Sequence, residues 1–191
     1  MINDSGGKIM SKKIGVVVGS LRKDAFSKKV AKELKAVAPE SLELENVEIG
    51  QLEMFNQDYD DEGRTPESWK AFRENLKQYD GFLFVTPEYN RSIPPVLKNA
   101  LDVGSRPYGS NVWDGKPGAV VSVSPSSMGG FGANHHLRQV LVFLNVPVMQ
   151  QPEAYIRDVA AAIQDDGEFE QAMSDHLKDF MLAYEQWVNN F

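Results

Sequence analysis

Two serine hydroxyls and one guanidinium lie within residues 19–27, directly after an apolar run. Ser20 and Ser27 supply the hydroxyls, and Arg22 lies between them. The first backbone amides of a helix have no partner within that helix, so a turn of this composition can bind a terminal phosphate. Taken singly, each serine is equally consistent with a helix cap, and Arg22 with an exposed surface cation. Their combination in this first loop, residues 19–27, favours phosphate binding.

The glycine spacing of the first loop disfavours two common nucleotide motifs. The loop lacks the glycine-lysine pair that closes a Walker A sequence. It also lacks the three spaced glycines of the dinucleotide fingerprint. ATP binding and Rossmann-type NAD binding are therefore not expected at this position.

Two later segments suit a flat ligand. The second loop, residues 86–90, contains a proline, a tyrosine ring and a side-chain amide, which can line a heterocycle and offer it backbone polar groups. The third loop, residues 124–132, is rich in glycine and serine, so its backbone can approach a ligand closely. By composition alone the second loop could equally be an ordinary turn and the third a flexible connection.

The titratable residues predict no metal site and no acid–base pair. The chain has no cysteine, which removes thiolate nucleophiles and thiolate metal ligands. His135 and His136 are neighbours, and adjacent helical positions point about 100° apart, so we interpret them as helix-start packing or capping. The acidic segment 58–62 lacks the glycine and closing glutamate of a calcium loop, which favours a solvated loop over a cation site.

The hydrophobic pattern predicts the elements that position these loops. Apolar β-branched runs alternate with segments of helical period, in the order βαβαβαβαβα. The predicted strands are residues 13–18, 42–49, 81–86, 118–123 and 146–149, and the predicted helices are residues 25–38, 65–79, 93–103, 134–144 and 168 onward. Such strands form an open parallel sheet that binds ligands beyond the carboxyl ends of its strands. The three loops follow strands one, three and four, so we expect them at that edge.

Length and composition indicate one soluble α/β domain. The chain has 191 residues, of which 42% are hydrophobic and 25% charged, so one domain is predicted over residues 13–191. Residues 1–12 are polar and predicted to be a disordered leader. The net charge of -7 disfavours a nucleic-acid partner. No membrane span or secretory signal is recognised, which predicts a cytoplasmic location.

Four segments together resemble the NADPH-dependent FMN reductase family, which includes bacterial chromate, quinone and azo-dye reductases. These segments are GSLR at 19–22 with Phe26 and Ser27, PEYN at 87–90, IPPVLKNALD at 93–102, and HLRQ at 136–139. The resemblance runs in order over about residues 13–153. It implies a flavodoxin-like fold, with three α/β/α layers and a five-stranded parallel sheet of order 2-1-3-4-5. It also implies one FMN per subunit.

The resemblance assigns residues to two parts of the flavin. Those implied to hold its phosphate, by side chain or backbone, are Ser20, Leu21, Arg22, Phe26 and Ser27. Those implied to border its isoalloxazine ring are Pro87, Glu88, Tyr89, Asn90, Ser127 and Met128. No catalytic side chain and no metal ligand are implied.

The resemblance further implies a homodimer or homotetramer in which a neighbouring subunit helps to enclose the flavin. Trp69, Trp113 and Trp187 are interpreted as core or subunit-contact residues, and Trp113, in the loop before the fourth strand, is the one expected nearest a dimer seam. The chain departs from many relatives at Val103, where they have tryptophan, and in a shorter glycine loop that lacks their arginine. These departures leave open whether the chain forms a dimer or a tetramer, and whether it uses NADPH or NADH.

The implied reaction is a ping-pong cycle that serves a small acceptor. A reduced nicotinamide passes hydride to the flavin and leaves, and a quinone, azo compound, free flavin or chromate then takes the electrons. One alternative is a non-enzymatic flavodoxin-type electron carrier, whose acidic surface would fit the net charge of -7. Flavodoxin phosphate loops are rich in hydroxyls and need no arginine, so Arg22 favours the reductase. The other alternative is a binding module that has lost its flavin.

Overall fold

The structure is a computed structural model that describes residues 11–191. The leader predicted over residues 1–12 lies outside this range apart from its last two residues, and Lys12 already belongs to the first strand. The strands are β1 (Lys12–Val18), β2 (Leu42–Asn46), β3 (Gly81–Pro87), β4 (Gly118–Val123) and β5 (Ala154–Ile156). The helices are α1 (Phe26–Ala36), α2 (Asp58–Asp61), α3 (Glu67–Leu76), α4 (Pro95–Gly104), α5 (Phe131–Phe143) and α6 (Gln171–Val188).

The five strands form one parallel sheet in the order β2-β1-β3-β4-β5. This order confirms the flavodoxin-like α/β fold that the sequence predicted. Successive side chains of a strand point to opposite faces, so Val16 packs with α1 and α6 while Val17 packs with α3, α4 and α5. Because helices cover both faces, all of β4 and nearly all of β3 are buried.

The fifth strand is not where the sequence predicted it. Residues 146–149 make a single bridge to the start of β4, in which Gly118 N donates to Pro147 O and Met149 N donates to Gly118 O. Pro147 has no N–H to donate and cannot extend a ladder. The chain instead pairs Ala154–Ile156 with the last three residues of β4.

Other boundaries also moved. β2 ends at Asn46 rather than at residue 49, although Val47 and Ile49 remain buried. α5 begins at Phe131, three residues earlier than predicted, after Gly130 with a φ of 75°. That backbone conformation is readily adopted by glycine, and it turns the chain directly from the third loop into the helix.

Of the two places predicted for Trp113, core or subunit contact, the structure shows the core and not a seam at the surface. The indole is fully buried, lies 4.7 Å from the Phe82 ring and donates its Nε1–H to Leu101 O at 3.1 Å. A Cβ on Gly104 would fall 2.5 Å from that nitrogen. The glycine therefore makes room for the indole in the layer between the sheet and α4.

The acidic segment 58–62 is solvent-exposed at Asp58, Asp61 and Glu62 as predicted, but it is not a loop. It forms the short helix α2, and Asp60 accepts hydrogen bonds from Arg73 Nη1 and Nη2 at 2.8 and 2.7 Å. Arg73 is buried and also donates its Nε–H to Val103 O at 2.9 Å. The hydrogen bond from Arg73 is the main cause that holds the pKa of Asp60 below its ordinary value. This ion pair joins α2, α3 and the end of α4.

No helix among residues 11–191 has the length and apolar character needed to span a membrane.

Candidate functional site

The three loops lie side by side at the carboxyl edge of the sheet. Val18 is in register with Val85, and Thr86 with Ser122, so β1, β3 and β4 end at the same level. Gly19 N donates to Val85 O at 2.9 Å, and a Cβ on Gly19 would lie 2.9 Å from Thr86 Oγ1. The first loop is therefore packed directly against the end of β3.

The first loop buries both of its serine hydroxyls. Ser20 is 4% exposed, and its Oγ accepts a hydrogen bond from Arg22 N at 3.3 Å. Ser27 is 1% exposed, and its Oγ is the one buried side-chain nitrogen or oxygen within residues 11–191 that has no hydrogen-bond partner. No side chain of residues 11–191 caps α1, so neither serine plays the capping role that composition left open. The amides at the start of α1 face an uncapped end.

This arrangement fits the phosphate of a bound cofactor. A buried polar group without a hydrogen-bond partner lowers the stability of the fold by about 1–3 kcal/mol. A bound ligand would supply the acceptor that the Ser27 hydroxyl lacks. A phosphate oxygen at the start of α1 would accept from that hydroxyl and from backbone amides, and the positive end of the helix dipole would favour its charge. Arg22 is exposed beside the loop, where its guanidinium can close over the anion.

Replacing Ser27 with alanine should separate ligand binding from stability. The FMN-free variant should unfold at the same temperature as the parent chain or higher, because the substitution removes an unsatisfied buried hydroxyl. Its FMN affinity should fall roughly tenfold or more, the loss expected for one hydrogen bond to a charged group. Thermal unfolding of FMN-free protein and quenching of FMN fluorescence measure the two effects.

Ser122 provides the matched control for that variant. It is a fully buried serine whose Oγ donates to Gly129 O at 2.8 Å, so alanine at position 122 should lower the unfolding temperature. A Ser27→Ala variant that loses stability as Ser122→Ala does, with unchanged FMN affinity, would contradict the assignment.

The second loop is strained and tightly turned. Asn90 and Arg91 have φ values of 51° and 67°, a left-handed conformation that few non-glycine residues adopt and that often marks functional loops. Tyr89 and Ser92 exchange two backbone hydrogen bonds, at 2.9 and 3.0 Å, across this turn. The turn leaves the Tyr89 ring partly exposed at the carboxyl edge.

The Glu88 carboxylate is bound by partners within the chain. Its Oε2 accepts from Ala133 N, in the first turn of α5, at 3.0 Å, and its Oε1 accepts from Arg91 Nη1 at 3.1 Å. A carboxylate at a helix N-terminus is favoured by the helix dipole. Glu88 therefore ties the second loop to the start of α5, and what it can offer a flavin ring is its backbone.

Replacing Glu88 with alanine should loosen that tie. The Ala133 amide would lose its acceptor, at a cost of about 1 kcal/mol as for other lost helix caps, and FMN should dissociate faster because the second loop is less ordered. Urea unfolding and stopped-flow FMN release measure these effects. Arg91→Ala keeps the bond to Ala133 and removes only the ion pair made by the exposed Arg91 side chain, so its unfolding free energy should change by less than about 0.5 kcal/mol. Equal effects of the two variants would contradict the role of Glu88.

The third loop places a second apolar side chain at the same edge. Met128 is half exposed, and Ser127 is exposed beside it. Gly129 has a φ of 57°, and a Cβ on it would lie 2.8 Å from the Tyr155 carbonyl carbon. The glycine thus lets the third loop lie on β5 and leaves Met128 facing solvent.

The side chains of the two adjacent histidines of α5 point in different directions, as neighbouring helical positions require. His136 Nδ1 lies 2.6 Å from Ser92 Oγ, and His135 Nε2 lies 2.8 Å from the Tyr155 hydroxyl. Burial is the main cause that raises the pKa of Tyr155 to about 12. The contacts of Glu88 and His136 were missed from the sequence, since their partners lie 45 and 44 residues away, respectively.

Of the predicted site residues, the structure thus buries Ser20 and Ser27, the latter at the uncapped start of α1, and exposes three apolar side chains at the same edge. These three are Leu21, Tyr89 and Met128. Phe26 differs, because its ring packs against the core under α1. A hydroxyl-lined helix start beside a partly apolar edge is suited to a ligand with a phosphate at one end and a flat ring at the other.

Comparison with known proteins places this arrangement in a family. A family model described as NADPH-dependent FMN reductase matches residues 12–161. The chain belongs to the NADPH-dependent FMN reductase family. It is accordingly an NAD(P)H-dependent flavoprotein oxidoreductase, with FMN as cofactor and a reduced nicotinamide as co-substrate.

Individual members of the family resemble the chain over nearly its full length. A quinone reductase of Pseudomonas putida is 53% identical over 92% of this chain and 94% of its own. A 2-hydroxy-1,4-benzoquinone reductase of a Burkholderia species is 44% identical over 95% and 98%. The solved structure of FerB, a flavoenzyme NAD(P)H:(acceptor) oxidoreductase from Paracoccus denitrificans, superposes with a TM-score of 0.87, at 38% identity and covering 94% and 98% of the two chains.

Proposed function

We propose that this family member reduces quinones, using electrons from NADPH or NADH in a ping-pong cycle. The observation that carries the FMN assignment is the buried, unpartnered Ser27 hydroxyl at the uncapped start of α1. The quinone acceptor is supported by the two relatives named above, whose names specify a quinone or benzoquinone substrate. Azo compounds, free flavin and chromate remain the other proposed acceptors.

The proposed task of the chain is to bind and orient. Ser20, Ser27 and the amides at the start of α1 would hold the FMN phosphate, with Arg22 closing over it. The second and third loops would border the ring. Glu88 would fix the position of the second loop relative to α5 through its hydrogen bond from Ala133 N. FMN, when bound, supplies the two-electron chemistry between nicotinamide and acceptor. Backbone amides of the glycine-rich third loop can offer hydrogen bonds to charge on the ring.

The exposed edge supports the proposed ping-pong order. The side chains that would border the ring, Tyr89 and Met128, are about half exposed, so one face of the site is open to planar molecules. Donor and acceptor would use the same opening in turn, and the donor product would leave before the acceptor enters.

Initial rates of NAD(P)H oxidation, measured with FMN-loaded protein over a grid of donor and benzoquinone concentrations, test this function. Parallel double-reciprocal lines are expected, and intersecting lines would overturn the ping-pong order. Negligible NAD(P)H oxidation with every acceptor would overturn the reductase and favour the flavodoxin-type carrier. Protein that takes up no FMN would favour the binding module.

We also propose a homodimer that forms through α4 and α5. These helices flank a groove lined in part by Arg106 and Phe143. Phe143 is 83% exposed, and nearby Tyr108, which lies beside the Arg106 guanidinium, is 93% exposed. Exposed aromatic side chains grouped around a groove are typical of protein interfaces. The cytoplasm, which holds reduced nicotinamides, is the compartment we propose.

Replacing Phe143 with glutamate should convert the dimer to a monomer, because a charge would have to be buried at the seam. Light scattering coupled to size-exclusion chromatography measures the mass. Leu182→Glu, at a partly exposed position on α6, is the control and should leave the mass unchanged. A parent chain that is already monomeric at micromolar concentration would contradict the dimer.

A further inference from the structure

A cavity of about 340 Å³ lies on the flank of the first loop that faces away from β3. It is enclosed by β1, α1 and the chain that leaves β2, and among residues 11–191 its lining comes from residues 16–50. The second and third loops contribute nothing to it. The cavity is therefore separate from the place proposed for the flavin ring, although Ser20 and Leu21 form part of its wall.

The floor of the cavity is apolar. Its buried side chains are Val16, Ala31, Val47 and Ile49. β2 ends at Asn46, and the chain then turns so that Val47 and Ile49 contribute to this lining instead of continuing the ladder. An apolar floor of this kind favours a ligand with a hydrophobic body.

The rim of the cavity is basic. Lys28, Lys32 and Lys35 follow one another along α1 at spacings of four and three residues, which places them on one face of the helix. Like charges at this spacing disfavour an isolated helix. Burial lowers the pKa of Lys35, so its ammonium group is partly withdrawn from water. This rim is positive in a chain whose net charge is -7.

The acidic groups near the rim do not balance it. Glu48 is the one carboxylate among the lining residues described. Glu168 pairs with Lys32 at 3.1 Å, but both side chains are more than half exposed, and such pairs contribute little. Glu45 acts on Lys35 electrostatically. Lys28 Nζ has a contact of 3.4 Å with Leu21 O and no carboxylate partner among the ion pairs of residues 11–191.

We propose that this cavity binds a small aromatic anion, with its ring on the valine and isoleucine floor and its phosphate or carboxylate facing Lys28, Lys32 and Lys35. The volume is within the range of small-molecule sites. Because Ser20 and Leu21 line the cavity and also belong to the first loop that would hold the FMN phosphate, occupancy should also alter FMN affinity, and by linkage FMN should alter affinity for the anion to the same extent. That coupling rests on the proposed function, whereas the binding itself does not.

Calorimetric titration of FMN-loaded protein with 1-naphthyl phosphate, 1-naphthoate and uncharged 1-naphthol tests the proposal. Both anions should bind with 1:1 stoichiometry and lose affinity with added salt, and 1-naphthol should bind more weakly. The double variant Lys32→Gln/Lys35→Gln should bind the anions roughly tenfold less tightly or worse. Lys29→Gln, outside the cavity lining on the same helix, is the matched control and should leave the affinity unchanged.

Three results would overturn the proposal. They are no binding of either anion, affinity that does not respond to Lys32→Gln/Lys35→Gln, and equal affinity for 1-naphthol. Anion binding that occurs only in FMN-free protein would also overturn it, because the cavity would then be part of the flavin site. Retained FMN is read from the visible spectrum of every sample, so failure of the proposed flavin site is distinguished from failure of this cavity.

Discussion

Replacing Asp60 with alanine is expected to lower the free energy of unfolding by about 3–5 kcal/mol, the cost of removing one partner of a buried ion pair. The Arg73 guanidinium is nearly enclosed, and Asp60 accepts two of its N–H groups. Without the carboxylate, a positive charge would remain in the layer beside Trp69, whose ring lies 5.3 Å from it. Urea unfolding followed by tryptophan fluorescence measures the loss.

Asp61→Ala is the matched control for that loss. Asp61 lies next in the same short helix, is exposed and accepts one hydrogen bond from Gln57, so its replacement should change the unfolding free energy by less than about 0.5 kcal/mol. Equal effects at positions 60 and 61 would contradict the importance of the ion pair with Arg73.

The same pair predicts a pH dependence with a definite sign. The pKa of Asp60 is lower in the folded chain than its ordinary value, mainly because Arg73 donates hydrogen bonds to the carboxylate. Its stabilisation is therefore complete above the ordinary aspartate pKa of about 3.9 and is lost as the pH falls through the folded value. The stability difference between the parent chain and Asp60→Ala should narrow in that acidic range. A difference that stays constant down to acid unfolding would contradict this assignment.

Replacing Arg22 with alanine is expected to weaken FMN binding by ~1.5–3 kcal/mol, which is roughly one to two orders of magnitude in the dissociation constant. The loss is that of a charge-assisted hydrogen bond to the phosphate. The guanidinium is exposed in the structure, so stability without FMN should hardly change. Quenching of FMN fluorescence on titration with FMN-free protein measures the affinity.

Two further variants define the role of Arg22. Lys23→Ala removes the adjacent exposed cation and should leave FMN affinity nearly unchanged, which distinguishes a specific contact from general attraction. Arg22→Lys keeps the charge but not the two-pronged geometry of the guanidinium and should give an intermediate affinity. Unchanged FMN affinity in Arg22→Ala would show that the phosphate is bound elsewhere.

A comparison of β4 with β5 shows which strands the local hydrophobic pattern can predict. β4 was predicted at the bounds observed, Gly118–Val123, because a strand covered on both faces is a continuous apolar run that periodicity detects. β5 was misplaced because it is a three-residue edge strand, Ala154–Ile156. Its position depends on which residues can extend the ladder beside β4, and Pro147 cannot.

The candidate site likewise has features that the sequence predicts and features that depend on tertiary contacts. The first loop could be recognised from its composition because Ser20, Arg22 and Ser27 are close in the chain and follow a strand. Its unpartnered hydroxyl could not, since the absence of a partner for Ser27 depends on everything packed around it. The role of Glu88 was likewise invisible, because Ala133 is 45 residues away and becomes its neighbour only when α5 docks beside β3.

The sequence by itself determined the parallel sheet, the family and the loops at which a phosphate and a flat ring are expected, because strand periodicity and short motifs are local properties of the chain. Tertiary structure alone decided that Asp60 is paired with Arg73, which of the two predicted places, core or subunit contact, Trp113 takes, and that Glu88 binds α5. It also decided that three lysines of α1 face an apolar cavity. The physical reason is that burial, charge pairing and hydrogen-bond satisfaction depend on groups brought together from distant parts of the chain.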